Sequence, residues 1–201
     1  MRQPENNRRL LIEATLDIVA AHGISETTVS RIIERAGLSR GMIHLHFAGK
    51  NNLMAAAAEA YNTAYYEEME RQIDGHSDDP VALLWAVVRA DLSPQLLNGR
   101  SVRIWHAFRG VASVNPDIAR FSDTRDLRLR KMLRGAFEAI AVTEGADDAL
   151  MLSREATYGT LAMLEGMWTD YLTHMNEFSR ADAEKIIFRF LSGLFPGSLR
   201  R

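Results

Sequence analysis

The chain has 201 residues, 47% hydrophobic and 25% charged, enough to build a core for one large or two small domains and too apolar for a disordered chain. It contains no cysteine, which excludes disulfides, thiolate metal sites and cysteine nucleophiles and leaves packing alone to hold the fold. The formal net charge of −2 argues on its own against a nucleic-acid binder.

The opening MRQPENNRRL is polar and basic with no apolar signal segment behind it, and no later apolar run reaches the roughly eighteen residues that would span a bilayer. A cytoplasmic protein without a membrane partner is expected. Helical periodicity runs from end to end, with no alternating segments joined by hairpin turn pairs, so the fold class is all-α. A first helix is predicted from Arg8 to His22, with Leu11, Ile12, Ala14, Thr15, Ile18 and Val19 on its apolar face and Gly23 as its stop. After SETT, Thr27 or Thr28 can cap a two-turn helix from Val29 to Ala36 that turns Val29, Ile32, Ile33 and Ala36 to one side. Gly37 and Leu38 break it, and Ser39 can cap a third helix, Arg40 to Phe47, with Ile43 and Phe47 inward. Two short helices joined by a tight glycine turn and braced by a longer one form a helix-turn-helix module.

A long helix follows from Lys50 to about residue 74, and GHSDDP at 75–80 is the best boundary, with Pro80 opening the next helix. The expected domains are 1–53, helix-turn-helix, and 75–201, effector binding and dimerisation, linked by the helix over 50–74. Further helices are expected at 80–91, 101–114, 116–142, 147–174 and 180–195; Asn115-Pro116 and Ser179-Arg-Ala-Asp182 carry the clearest start signals. The last two helices are apolar on more than one side, an excess that a homodimer seam through them would absorb.

The stretch AGLSRGMIHLHFAGKNNL, residues 36–53, carries the chemistry. In a helix starting at Arg40, several side chains project away from Ile43 and Phe47. Arg40 can pair with guanine edges or a phosphate, Gly41 lets the backbone approach, and His44 can donate to a base edge. Lys50 and the free amides of the helix behind it make an anion site suited to a backbone phosphate, and the Thr28 hydroxyl can serve another. Taken singly, Thr28 and Ser39 read as ordinary caps and Lys50 as a solvated charge; the combination is far more specific. Charge distribution agrees with it, since residues 1–53 hold seven basic and five acidic side chains and the remainder seventeen and twenty-one.

Residues 8–54, with the succession TTVSRIIERAGLSRGMIHLHFAGKNNL, resemble the N-terminal DNA-binding domain of the TetR family of transcriptional repressors. The resemblance implies an all-helical homodimer that binds double-stranded operator DNA of palindromic sequence and releases it when a small-molecule effector enters the C-terminal domain. It matches Thr28 and Lys50 to phosphate contacts and Arg40–His46 to the recognition helix; His46 stands where the family usually has a tyrosine. The candidate DNA contacts are thus Thr28, Ser39, Arg40, Gly41, Met42, His44, His46 and Lys50. Trp105 to Phe108, Asn115-Pro116 and YGTLAMLEGMW (Tyr158–Trp168) are similar to the choline-responsive BetI-type repressors.

An effector pocket should be mostly apolar with a few converging polar groups. Trp85, Trp105, Phe108, Met163, Met167, Trp168 and Tyr171 are its candidate walls, and Asp91, Arg103, Arg109 and Glu165 its candidate polar contacts; Trp105, Phe108, Arg109, Tyr158, Glu165 and Trp168 form the preferred set. Tryptophan faces with a carboxylate suit choline or another quaternary ammonium. Arg109, where the choline-responsive pattern tends to carry an aromatic, would instead suit an anionic or aromatic metabolite if it faced the ligand. Two rivals remain. A metal enzyme built on His44 and His46 fails because helical residues two apart diverge and no HExxH, Gly-rich phosphate loop or serine elbow accompanies them, so no catalysis, cofactor or metal is expected. An all-α ligand-binding or scaffold protein without DNA function would show no salt-dependent DNA affinity.

Overall fold

A computed structural model describes residues 4–199, apart from the side chains of 122–126. All regular structure in this span is helical: α1 (Pro4–His22), α2 (Val29–Ala36), α3 (Arg40–Phe47), α4 (Lys50–Ile73), α5 (Pro80–Asp91), α6 (Gly99–Ala112), α7 (Pro116–Thr143), α8 (Ala149–Thr173) and α9 (Arg180–Leu194). None is long and apolar enough to cross a membrane.

The helix starts follow their caps. Thr28 accepts from the Arg31 amide, Asp79 from those of Val81 and Ala82 with Pro80 at the first position, Asp148 from Met151, and Ser179 from Asp182. Asn115 Oδ1 accepts from the amides of Asp117 and Ile118 at the start of α7. Gly37 ends α2 in the left-handed region, φ 64°, so that its own amide and that of Leu38 close the last turn on Glu34 and Ile33. Two starts differ from expectation. Helix α1 is already formed at Pro4, one turn ahead of the start expected at Arg8. Ser39 holds the cap position of α3 but makes no side-chain cap bond, so the turn closes through its carbonyl, which accepts from the Met42 amide at 3.1 Å.

The chain divides into two compact units. One comprises the chain through Tyr65 with Gly99–Thr124, the other Tyr66–Asn98 with the chain from Arg125 onward. The helix-turn-helix segment thus shares its unit with α6 and the start of α7, which the boundary expected at residue 75 does not convey. The reason is apolar: Leu11, Leu16, Val19, Ile32, Ile43, Phe47 and Leu53 form one buried cluster with Ile104, Phe108 and Ile118. Burying side chains of this size contributes about 1.5–3 kcal/mol each. In the other unit Leu84, Val87, Val88, Phe137, Leu164, Trp168, Ile187, Phe188 and Leu191 are buried, and Phe137 stacks on Phe195 with ring centroids 5.5 Å apart.

An ion-pair cluster ties α6 to the first two helices. Asp17 of α1 accepts from Arg35 of α2 at 2.6 Å and from Arg100 of α6 at 3.0 Å, and Arg100 also reaches Glu13 at 3.1 Å. Burial raises the Asp17 carboxyl, but the hydrogen bonds and charges of Arg35 and Arg100 outweigh it and leave the group below its ordinary value. A carboxylate depressed in the folded state stabilises the fold above its unfolded pKa, about 3.9, and that contribution is lost as pH falls through the folded value. Asp17→Asn is therefore expected to lower stability by about 1 kcal/mol at pH 7, since partly exposed pairs are worth little more. Thermal melts from pH 3 to 8 should show the gap from the parent protein constant above about pH 5 and closing only below about pH 4.

Candidate nucleic-acid interface and effector region

Helix α3 has eight residues and two sides. Ile43 and Phe47 are buried, and Met42 packs half-buried against the same cluster. Arg40, Gly41, His44 and Leu45 are exposed together, at the i, i+1, i+4, i+5 spacing that makes one helical face. His46 lies between the two sides: its ring packs tilted against Phe47, and Nε2 is buried with no hydrogen-bond partner among the described residues. His44 and His46 therefore do not converge, and the outer histidine is the one able to reach a ligand.

Leu45 surrounds the inward pair in the sequence but is missing from the candidate contacts, because leucine has no hydrogen-bonding group to offer a base edge or phosphate. It is 73% exposed, an uncompensated apolar side chain at the centre of an otherwise polar face. The legible signal lay in its register, two residues from each inward neighbour, Ile43 and Phe47.

The turn behind α3 sets the start of the next helix. Ala48 takes a left-handed conformation, φ 57°, with its amide donating to His44 O at 3.1 Å, and Gly49 follows at φ 149°. An alanine there is strained, so the turn is held by what flanks it, Phe47 and Leu53 in the core. Lys50 then opens α4, whose first amides have no side-chain cap among the described residues. Unsatisfied amides, the positive end of the helix dipole and a lysine are groups that can hold an anion. At the start of α2, Thr28 Oγ accepts from the Arg31 amide at 3.3 Å, which leaves its hydroxyl proton free to donate. The exposed Ser39 hydroxyl, not spent on a cap, is equally available.

The sequence agrees with known proteins in the same two segments. Residues 11–57 match the model of the bacterial regulatory proteins of the tetR family, and residues 80–196 match the BetI-type transcriptional repressor C-terminal domain. The chain belongs to the TetR family of transcriptional regulators, with a BetI-type C-terminal domain. It is 27% identical to the HTH-type transcriptional regulator BetI of Stenotrophomonas maltophilia and 29% identical to that of Pseudomonas paraeruginosa, in each case over 92% of this chain and 90% of the relative. A solved transcriptional regulator from Pseudomonas aeruginosa PAO1 superposes with a TM-score of 0.86 at 29% identity, covering 99% of this chain and 95% of the other. A regulator from Saccharomonospora viridis, solved in complex with choline, has the same fold, with a TM-score of 0.79 at 19% identity over 92% and 95% of the two chains.

In this TetR-family chain the candidate effector residues fall in several places. Trp105, Phe108 and Arg109 lie on α6; Phe108 is part of the core that seats α3, and the Arg109 guanidinium lies 5.2 Å above the Trp105 ring. On α8, Trp168 is buried and donates from Nε1 to the buried Asp91 carboxylate at 2.8 Å. Tyr158 and Glu165 of the same helix are exposed. Of the further candidates, Trp85 stacks on Phe188 with Arg89 over its ring, Tyr171 lies under Arg180, and Arg103 is exposed. Met163 and Met167 are half-buried on α8.

The Asp91–Trp168 bond is testable on stability alone. Trp168→Phe keeps the packing but removes a donor from a carboxylate that is 1% exposed. A loss of about 1.5–3 kcal/mol is expected, the range for a hydrogen bond to a buried charged group. Denaturant titration of the two proteins reads it, and a loss under about 0.5 kcal/mol would assign the bond no net role.

Proposed function

We propose that this regulator is a cytoplasmic homodimeric repressor that reads a palindromic operator through α3 and releases it on binding a small-molecule effector. The observation that carries the proposal is the exposed face Arg40, Gly41, His44 and Leu45, set between two phosphate-ready helix starts at Thr28 and Lys50. An arginine and a histidine supply donors to base edges, glycine allows close approach, and Leu45 fits a thymine methyl. Ser39, Met42 and His46 stand at the margin of that face.

Two features support the rest of the reading. Ile186 and Phe190 on α9 are 53% and 39% exposed, and Phe190 lies so close to Gly159 of α8 that a Cβ there would sit 2.7 Å from its ring. An apolar pair exposed over a close helix–helix contact suits a self-complementary seam. Phe190→Asp is then expected to shift the protein from dimer to monomer in sedimentation velocity, and an unchanged dimer would move the seam elsewhere.

For the effector, the resemblance of the C-terminal segments to the choline-responsive BetI-type repressors favours choline or a related quaternary ammonium compound. The Saccharomonospora viridis regulator, solved with choline, contributes a shared fold. Asp91 and Trp168 place a carboxylate beside an indole, which provides Coulomb and cation–π attraction without needing a donor on the ligand. An anionic or aromatic metabolite is the second reading, and the guanidinium of Arg109 favours it.

The deciding experiment is fluorescence anisotropy of the protein with its own upstream DNA across a salt series, with and without choline. Affinity should fall steeply with salt, as the counterion release that accompanies phosphate contacts requires, and a salt-independent or absent affinity would support a ligand-binding protein without DNA function. Lys50→Ala should weaken all sequences alike and reduce the salt slope by about 1, whereas Arg40→Ala or Leu45→Ala should cost about 1–3 kcal/mol at particular base pairs. Release by choline supports the quaternary-ammonium effector; operator binding that choline leaves intact favours the anionic or aromatic one.

A further inference from the structure

Between α7 and α8 the protein has a cleft of about 600 Å³ lined by Arg130, Arg134, Arg154, Glu155, Met151 and Tyr158. Arg130 and Arg134 lie one helical turn apart on α7, as do Arg154 and Tyr158 on α8, so two ladders face each other across the opening. Among the described lining residues, three guanidinium groups meet a single carboxylate, that of Glu155.

Several other arginines of the same compact unit have acceptors. Arg89 pairs with Glu184, Arg128 with Glu70, and Arg180 donates to the carbonyls of Leu92 and Leu97. Arg130, Arg134 and Arg154 make no ion pair or hydrogen bond with any described residue. Gathering three like charges around one opening with no ion pair among the described residues opposes folding, and the fold tolerates it because each side chain is exposed to water. An arriving anion relieves that repulsion, and guanidinium forks bind carboxylate or phosphate oxygens in pairs.

The remaining walls are not ionic. Tyr158 is 68% exposed and Met151 57% exposed, so an aromatic face and a thioether border the arginines. An inorganic ion would leave both in water. A ligand with an acidic group on a flat or apolar body would cover them while the arginines hold its charge.

We propose that the α7–α8 cleft binds a small organic dianion, a phosphate ester or dicarboxylate carried on an aromatic or apolar body. The site is separate from the Asp91–Trp168 pair and does not depend on the operator-binding reading. Its ligand is opposite in charge to a quaternary ammonium effector.

The test is isothermal titration of the full chain, at low ionic strength and without DNA, using phenyl phosphate, inorganic phosphate and tetramethylammonium chloride as probes. Phenyl phosphate is expected to bind saturably, inorganic phosphate more weakly, and tetramethylammonium not at this site. The double variant Arg130→Ala/Arg134→Ala should weaken phenyl phosphate by at least about tenfold, and Arg130→Lys/Arg134→Lys, which keeps charge but loses the fork, should fall between. Tyr158→Ala should remove the preference for phenyl phosphate over inorganic phosphate and leave the latter's affinity unchanged. All these side chains are exposed, so the variants should melt with the parent protein. The proposal is overturned by absence of saturable phenyl phosphate binding, or by equal affinity in the double alanine variant. It is also overturned if that variant dissociates a dimer in sedimentation velocity while phenyl phosphate does not bind the parent protein, because the cleft would then be filled by acidic groups of a second copy.

Discussion

The orientation of α3 depends on a core it does not own. Eight residues make two helical turns, too short to be stable in water alone, so the helix exists and points where it does because Ile43 and Phe47 are seated among other elements. Those elements include Ile104 and Phe108 of α6 together with Leu11, Leu16 and Val19 of α1. The outward face of α3 is fixed by the inward one, since residues 40, 41, 44 and 45 can be exposed only while 43 and 47 are buried. Any displacement of Ile104 or Phe108 alters the seat of the helix that carries Arg40 and Leu45.

Charge reinforces the same connection. Asp17 accepts from an arginine of α2 and from one of α6, so a single carboxylate on α1 links the helix preceding the recognition turn to the helix carrying Trp105 and Arg109. Such pairs contribute little to stability, but their directionality adds register to packing that is otherwise permissive. Close-packed interiors settle into discrete arrangements. A helix held by both an apolar seat and an arginine fork is therefore suited to change between arrangements and poorly suited to drift.

Most of this fold was legible in the sequence because its helix ends are written in cap chemistry. Asp79-Pro80, Asn115-Pro116, Ser179 and Gly37 each mark a boundary through a side-chain acceptor, a fixed φ or a left-handed turn. Ser39 shows the limit of that signal, since a residue of the right type can occupy the cap position while its hydroxyl bonds nothing in the cap. The association of residues 99–124 with the N-terminal helices was not legible: helical periodicity says that Ile104 and Phe108 are buried and cannot say against which partner. For the candidate interface, polar residues were chosen by type, whereas Leu45 was legible only through its register and is marked by its exposure.

The effector region was the least legible part, and the reason bears on ligand charge. Aromatic spacing cannot distinguish a ring that lines a cavity from one already engaged, and several here are engaged by the protein's own cations. Arg89 lies over Trp85, Arg109 over Trp105 and Arg180 over Tyr171, each within 5.4 Å of a ring centroid. A ligand ammonium seeking those faces competes with an internal guanidinium, which offsets the roughly 0.5–2 kcal/mol a cation–π contact provides. Trp168, hydrogen-bonded to a carboxylate, is the indole whose surroundings already favour positive charge. Weakening operator binding a hundredfold takes about 2.7 kcal/mol of coupling. That is comparable to the burial of one side chain of the size of Ile104 or Phe108. In the repressor reading, an effector need therefore disturb no more than one residue of the α6 seat for α3 to lose its hold on DNA.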